Sequence, residues 1–461
     1  MRILCNLPLE CFDDRAALRD VELCTFGPPD RMMVDGVHYP FDVAFDPSRQ
    51  SWQELQAALP PGFEPDLVLI YWPDQEPLPD GMEQCPVPVV GVVSDYNLTL
   101  PYLVGLWPFF DALLCDRHGQ ELFERLSFEN VRYWCQFAQK RPTHRIYDDI
   151  TARNIDVGFA GNLNPTVQRE RAGWIQRVQQ LGERGVHVDV RQGIYGEEYG
   201  RFLNQCQIGW NRSIRGEMNL RAFEVPACGA VLLMESSNLE VRDFFVPDEE
   251  CVLYDDDNLE ATIAQLLADP KRMQRIATAG HRRVQEHRLG NRLHELSDIA
   301  RGGIRRPTST AADRSLGRAT AMLPTWASGE ALTQAAMAAH KEAPDDPATL
   351  NLLGLATLRW RGNEGGQDAF NLMRTASQTS DGYIPAVVNM AAIAAATDNQ
   401  QLHQLVKAEC DRRIASIKEW SSLDGPTLPF GFDATAVDRS MALQDAIRTN
   451  APEQFAKSLA R

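Results

Sequence analysis

Residues 204–254 constrain the fold of this chain more than any other stretch. A short apolar run at 207–211 leads into a polar loop, a helical pattern over about 219–227, Gly229, and a second apolar run at 230–234. Glycine just past the last turn supplies the left-handed residue that ends a helix, so the pattern predicts strand, loop, helix and strand. In an open α/β sheet the N-terminus of such a helix lies at the carboxyl ends of strands, where ligands bind. Its unpaired N–H groups and the positive end of its dipole favour an anion. Arg215 and Arg221 bracket that end, and Glu224 follows Arg221 by three residues on nearly the same face. Arginines and N–H groups for phosphates, with a glutamate for sugar hydroxyls, make the chemistry of a nucleotide-diphosphate site.

Before this block, short runs at 2–5, 21–26, 66–71, 87–93, 112–115 and 131–135 are apolar on both faces, as strands of a mostly parallel sheet are. Helical segments are expected at 13–19, 52–59 and 120–126, and the alternation predicts a Rossmann-like half over 1–150. Polar residues directly after two of these strands, Ser94-Asp95-Tyr96-Asn97 and Asp116-Arg117-His118, point to the crevice. Asp95 is a candidate base or acceptor-orienting group and His118 a second base candidate. The competing reading of each is a turn or capping residue.

A polar, proline-containing hinge at 141–151 opens a second half, 151–301. It begins with a strand ending at Gly161-Asn162, then a helix over about 166–182 that carries Arg169 and Arg171 within reach of a phosphate. Gly161 permits close backbone approach there. A strand at 186–190, a loop through Tyr195 and a helix near 198–204 follow. Amphipathic helices at 259–267 and 271–287 come next, with a helix near 292–300 expected to return to the first half. His281, His287 and His294 lack the spacing of a metal motif, and read as surface or packing residues.

The central block resembles the donor-binding segment of GT-B glycosyltransferases, in particular the CgeB-like (spore-maturation-protein-like) group. Arg221, Phe223, Glu224, Ala227 and Gly229 fit that family's helix pattern, and the likeness runs on to Tyr254 and through Ala277, Gly280, Arg283 and Val284 to His287. It covers roughly residues 65–300. The resemblance implies an α/β protein of GT-B fold, two Rossmann-like domains facing a cleft. It implies hexosyl transfer from a nucleotide-diphosphate sugar, UDP- or GDP-linked, with no permanently bound cofactor and no structural metal. The donor-binding residues it implies are Gly161, Asn162, Tyr195 (stacking near the base), Asn211, Arg215, Met218, Asn219, Arg221 and Glu224. Backbone N–H groups near Met218 and Asn219 would join Arg221 on the leaving diphosphate. Many retaining members carry two glutamates eight positions apart; here Glu224 fits the second, but Gly216 stands at the first and Glu217 one residue late. Retention or inversion therefore stays open. A sugar-nucleotide epimerase of the same fold, or a degenerate transferase acting as a scaffold, are the alternatives.

A chain of 461 residues has room for two or three domains. Its net charge of −17 argues against nucleic acid or an anionic membrane as main partner. No signal-like segment or bilayer-length apolar run is present, and the ten scattered cysteines read as reduced core thiols, so a cytoplasmic protein is expected. Asn97-Leu-Thr and Asn211-Arg-Ser match the glycosylation pattern by chance on this reading. Residues 302–318 read as a linker, and 319–461 as a helical domain similar to tetratricopeptide (TPR) repeats. Leu353 and Asn389 lie close to the roughly 34-residue period of that repeat. Such a domain buttresses the transferase, binds a protein partner or self-associates. The acceptor expected is a protein, peptide or glycan.

Overall fold

A computed structural model describes residues 1–7, 18, 20–29, 40–139, 143–164, 170–304, 309–380, 382–397, 399–417, 420–423, 425–428 and 434–459. The apolar runs of the first half form seven strands: β1 (Arg2–Cys5), β2 (Glu22–Gly27), β3 (Val43–Ala44), β4 (Leu67–Tyr71), β5 (Val89–Val92), β6 (Ala112–Cys115) and β7 (Val131–Tyr133). They pair in the order β3-β2-β1-β4-β5-β6-β7, parallel throughout. Leu4 faces Cys24 on one side and Val68 on the other. Both faces of such a sheet are covered, which is why β4 and β5 are buried at every residue.

The second half has five strands: β8 (Ile155–Ala160), β9 (Val188–Arg191), β10 (Cys206–Trp210), β11 (Val231–Glu235) and β12 (Val252–Tyr254). Their order is β12-β11-β10-β8-β9, again parallel. The strand order reverses between β1 and β4 in the first sheet, and between β8 and β10 in the second. These two switch points open the crevices where α/β sheets hold ligands. The architecture is α/β, with two parallel-sheet halves meeting at a cleft and a helical region after them, as expected of a GT-B fold.

The last helix of the second half, Leu289–Arg301, returns to the first as expected. Its Leu289, Leu293 and Leu296 share a core with Ile3, Val90 and Val92, and Trp134 Nε1 donates to the carbonyl of Arg292 at 3.0 Å. The expected linker is shorter than its composition suggests. Helix Ala311–Met322, started by a Thr310–Asp313 capping box, occupies its second part. Arg314 is buried there against Asp111 of the first half at 2.9 Å, and Arg318 meets Asp80 and Glu83.

Helices Gly329–Glu342, Pro347–Arg361, Gly366–Thr379, Ile384–Ala395 and Gln400–Ile414 then pack each on the next. Ile384, Val388, Ile447 and Phe455 join Leu113 and Phe123 in one core, so the helical region is fused to the first half. Helix Ala434–Thr449 runs back along helix Tyr96–Leu106. The sequence reading missed that second helix, which follows β5 directly and contains Pro101. It also missed the two-residue β3. The helix expected at 13–19 falls, apart from Leu18, outside the described residues. So do the start of the helix expected at 166–182 and Arg169; its described part is Arg171–Gln179. The nine described cysteines are all buried. Among the described residues no helix is long and apolar enough to cross a membrane.

Candidate active site in the cleft

The central helix runs Leu220–Ala227, one residue later than expected, with Asn219 as its N-cap accepting from the Ala222 amide. This start puts Arg221 at the switch point of the second sheet. Its Nε and Nη2 donate to the Ala160 carbonyl at the end of β8, at 3.1 and 2.6 Å. Its Nη1 donates at 2.9 Å to Oδ1 of Asn211, just past the end of β10. Asn211 and Asn219 exchange amide hydrogen bonds at 3.1 and 3.2 Å, which fixes the acceptor that Arg221 uses. Gly161 gives the space: a Cβ added there would stand 2.4 Å from Arg221 Nη2.

Arg171 approaches from the next helix and donates to the Asn162 carbonyl at 2.9 Å. The guanidinium carbons of Arg221 and Arg171 lie 4.1 and 5.6 Å from the centroid of the same Phe159 ring. Burial, and then the charge of Arg221, pulls the pKa of Arg171 down to about 10. Two cations on one ring, hydrogen-bonded to neutral oxygens, are both relieved by an anion between them.

Glu224, one turn along the same helix, faces a different neighbourhood. Its Oε1 is 3.6 Å from His144 Nδ1, with both side chains buried. Burial, and then the charge of Glu224, raises the Tyr199 hydroxyl well above its ordinary value against the pull of Arg221, and its ring meets His144 edge to face at 5.3 Å. His144 and Tyr199 were missed in the sequence, because neither lies in a pattern of its own. Tyr195 precedes helix Gly196–Gln205, and its ring is 46% exposed, free to stack on a ligand.

Two expected donor contacts are otherwise engaged. The Met218 amide, expected to be free for a diphosphate, donates to Glu240 Oε2 at 3.1 Å, while the Met218 side chain is core. Arg215 reaches away from the central helix into the first half. It bonds to Asn97 Oδ1, to the Ser94 carbonyl at 2.6 Å and to Asp116 Oδ2 at 3.2 Å, with its guanidinium 4.4 Å from the centroid of Tyr96. Glu217, whose carboxylate lies 3.9 Å from Arg215 Nη2 and accepts from the amides of Ile214 and Arg215, holds the charge most strongly, with Asp116 and Asp95 adding to it from the first half. Glu240 also accepts from the Arg117 amide at 2.9 Å, so one carboxylate bonds to both halves. Burial pushes Glu240 up to about 7 against the pull of those two amides.

Arg215 thereby gathers the two base candidates. Asp95 lies in the loop after β5 and is the N-cap of helix Tyr96–Leu106 without a capping bond from its side chain. Burial raises its pKa, the charge of Arg215 lowers it, and Asp116 raises it again. His118 is lowered by burial, against the pull of Asp116. The Tyr96 hydroxyl donates to Asp116 Oδ1 at 2.7 Å and lies 2.9 Å from His118 Nδ1. Asp116 and Tyr96 were passed over as neighbours of the residues singled out. A cavity of about 170 Å³ is lined by Arg171 and Trp174 on one side and Asn97 and Arg215 on the other, with Met441 and Gln444 of the tail.

Among the described residues no group of His, Cys, Asp and Glu is arranged to hold a metal. His281 contacts the Pro226 carbonyl at 3.1 Å, and His287 sits among Phe223, Phe244 and Phe245.

Residues 141–298, which contain Arg171, Arg221 and Glu224, match a family model described as glycosyl transferase-like. No curated protein matches the chain. Among solved structures it is similar to a sucrose-phosphate synthase from Thermosynechococcus elongatus, at 12% identity and a TM-score of 0.39, over 65% of this chain and 99% of that one. It is also similar to HepE from Anabaena, crystallised with UDP, at 12% identity and a TM-score of 0.39, over 65% and 99% of the two chains.

Proposed function

We propose that this chain is a glycosyltransferase that moves a sugar from a nucleotide-diphosphate donor, UDP- or GDP-linked, to an acceptor hydroxyl in the cleft. The observation that carries this reading is the Arg171–Arg221 pair on Phe159, at the switch point of the second sheet, with Gly161 clearing the approach. The match of residues 141–298 to a glycosyl transferase-like model supports the same reaction class.

Residues 151–301 would hold the donor, with Arg171 and Arg221 on its diphosphate and Tyr195 on its base. Glu224, buried beside His144, would take the hydroxyls of the ribose or sugar. Charge that develops on the departing diphosphate is stabilised by preorganised cations, the main catalytic lever of such a site. Residues 1–150 would present the acceptor to Asp95. A carboxyl raised by burial is a stronger base than an ordinary aspartate, and Arg215 keeps it ionisable. His118, kept neutral by burial, is the second candidate. The helical region would bind a protein partner or the acceptor's chain.

Thermal unfolding with UDP, GDP, TDP, CMP and ADP, with and without magnesium, tests the reading. A ligand at a hundred times its Kd adds about 2.7 kcal/mol of stability. A response to one diphosphate that is lost in Arg221→Ala is expected; silence across the panel refutes a nucleotide site.

A further inference from the structure

Two asparagines of the helical array grip a stretch of this chain's own backbone. Asn351 in helix Pro347–Arg361 and Asn389 in helix Ile384–Ala395 are both fully buried and stand 38 residues apart. Each follows a proline of its helix's first turn by four residues, Pro347 and Pro385, so they are the structurally equivalent pair, in place of Leu353 and Asn389. Asn389 Nδ2 donates to Asn351 Oδ1 at 2.8 Å and to the Pro426 carbonyl at 3.1 Å. Asn351 Nδ2 donates to that same carbonyl at 3.1 Å, and Asn389 Oδ1 accepts from the Leu428 amide at 2.7 Å.

One carboxamide therefore closes a ring on the C=O of residue 426 and the N–H of residue 428, as a neighbouring strand pairs with an extended chain. The three bonds from the asparagines to the segment all go to its backbone, while Thr427 Oγ1 accepts from Arg439 at 3.2 Å and Leu428 packs against the array's core. Buried carboxamides cost stability unless their donors and acceptors are met, and packing two helices does not require them. A cavity of about 380 Å³ continues from Gly425 and Pro426, lined by Tyr383, Ser380 and Asp346 of the array and by Gly105 of the first half.

We propose that this face of the array is a binding site for an extended polypeptide recognised through its backbone, and that residues 425–428 occupy it in cis. The proposal stands independently of the transferase reading. A tethered segment acts at an effective concentration in the millimolar range, so a free peptide competes poorly until the segment is weakened.

The probe is a fluorescein-labelled peptide with the sequence of residues 421–428, titrated by anisotropy into the full-length protein. Leu428→Pro removes the N–H that Asn389 accepts. That variant is expected to bind the peptide at least ~10-fold more tightly than the unaltered chain. Adding Asn389→Leu should abolish the gain, and a peptide carrying the same proline should not bind. Should Leu428→Pro fail to fold, hydrogen exchange on the unaltered chain decides: the Leu428 amide should lose protection as peptide rises to millimolar concentration. A folded Leu428→Pro protein with no gain, equal binding with Asn389→Leu, or Leu428 protection unmoved by peptide would overturn the proposal.

Discussion

Gly161→Ala tests whether Arg221 carries the charge of a bound anion. The new Cβ would stand 2.4 Å from Arg221 Nη2, where ordinary contact begins near 3.4 Å. The guanidinium must therefore retreat by about an ångström, which takes its 2.6 Å bond to the Ala160 carbonyl out of hydrogen-bonding range. No left-handed backbone is needed at Gly161, so the fold should survive with a loss of about 0.5–1.5 kcal/mol. A diphosphate held by the displaced group loses a charge-assisted interaction of about 1.5–3 kcal/mol, or roughly 10- to 150-fold in Kd. Isothermal titration with the diphosphate chosen by the thermal panel measures this. The decisive experiment is the double-mutant cycle. With Arg221→Ala already in place, the Cβ meets only the edge of Phe159 at 3.2 Å, so Gly161→Ala should then change affinity little. A coupling of at least ~1 kcal/mol is expected. Strictly additive losses would refute the reasoning, because Gly161 would then act on the ligand without Arg221 as intermediary.

Arg314→Met removes the cation from the buried carboxylate of Asp111, which keeps its bond from the Val89 amide at 2.8 Å, and should cost about 3–5 kcal/mol in urea unfolding, loosening the first half and the helical region together. A first-half transition left unmoved would contradict their shared core. Burial depresses His287 to about 4 from its ordinary 6.5. The unfolded chain then binds the proton first, so stability should rise with pH between about 4 and 6.5 and be lost as pH falls. The ring's partial exposure reduces this to about 1–3 kcal/mol, and His287→Gln should flatten that slope between about pH 4 and 6.5. Arg215→Ala removes the charge that lowers the Asp95 pKa, so the acid limb of kcat/KM should move to higher pH. A limb that stays put would argue against Asp95 as the base.

The strands and the central helix were legible in the sequence, because their signals are local. Parallel strands buried on both faces must be apolar throughout, as 67–71 and 89–92 are, and Gly229 marks a helix end whatever the helix packs on. The placement of Gly161 and Asn211 was legible for a related reason: each directly follows a strand at the carboxyl edge of one sheet, and Arg221 lies in the first turn of the helix that starts beside them. The misplaced readings all depend on a partner distant in sequence. Nothing around Met218 says that its amide belongs to Glu240, nor anything around Arg215 that it turns to Asn97 and Asp116 of the other half. His144 carries no motif, and only the fold brings it to Glu224.

The helical region separates the two kinds of knowledge most sharply. Its helices can be read from the spacing of apolar residues, since periodicity reports which face of a helix is buried. Periodicity does not report what buries it. That Phe455 and Ile447 complete the core around Leu113, and that Met441 and Gln444 line the cleft, depends on chain segments several hundred residues apart. The sequence by itself determined two parallel-sheet halves and the helix that starts at the edge of the second, because backbone geometry and local burial leave little choice. Only tertiary structure decided which charges are free for a ligand, because every buried cation and amide takes the nearest acceptor in space, not in sequence.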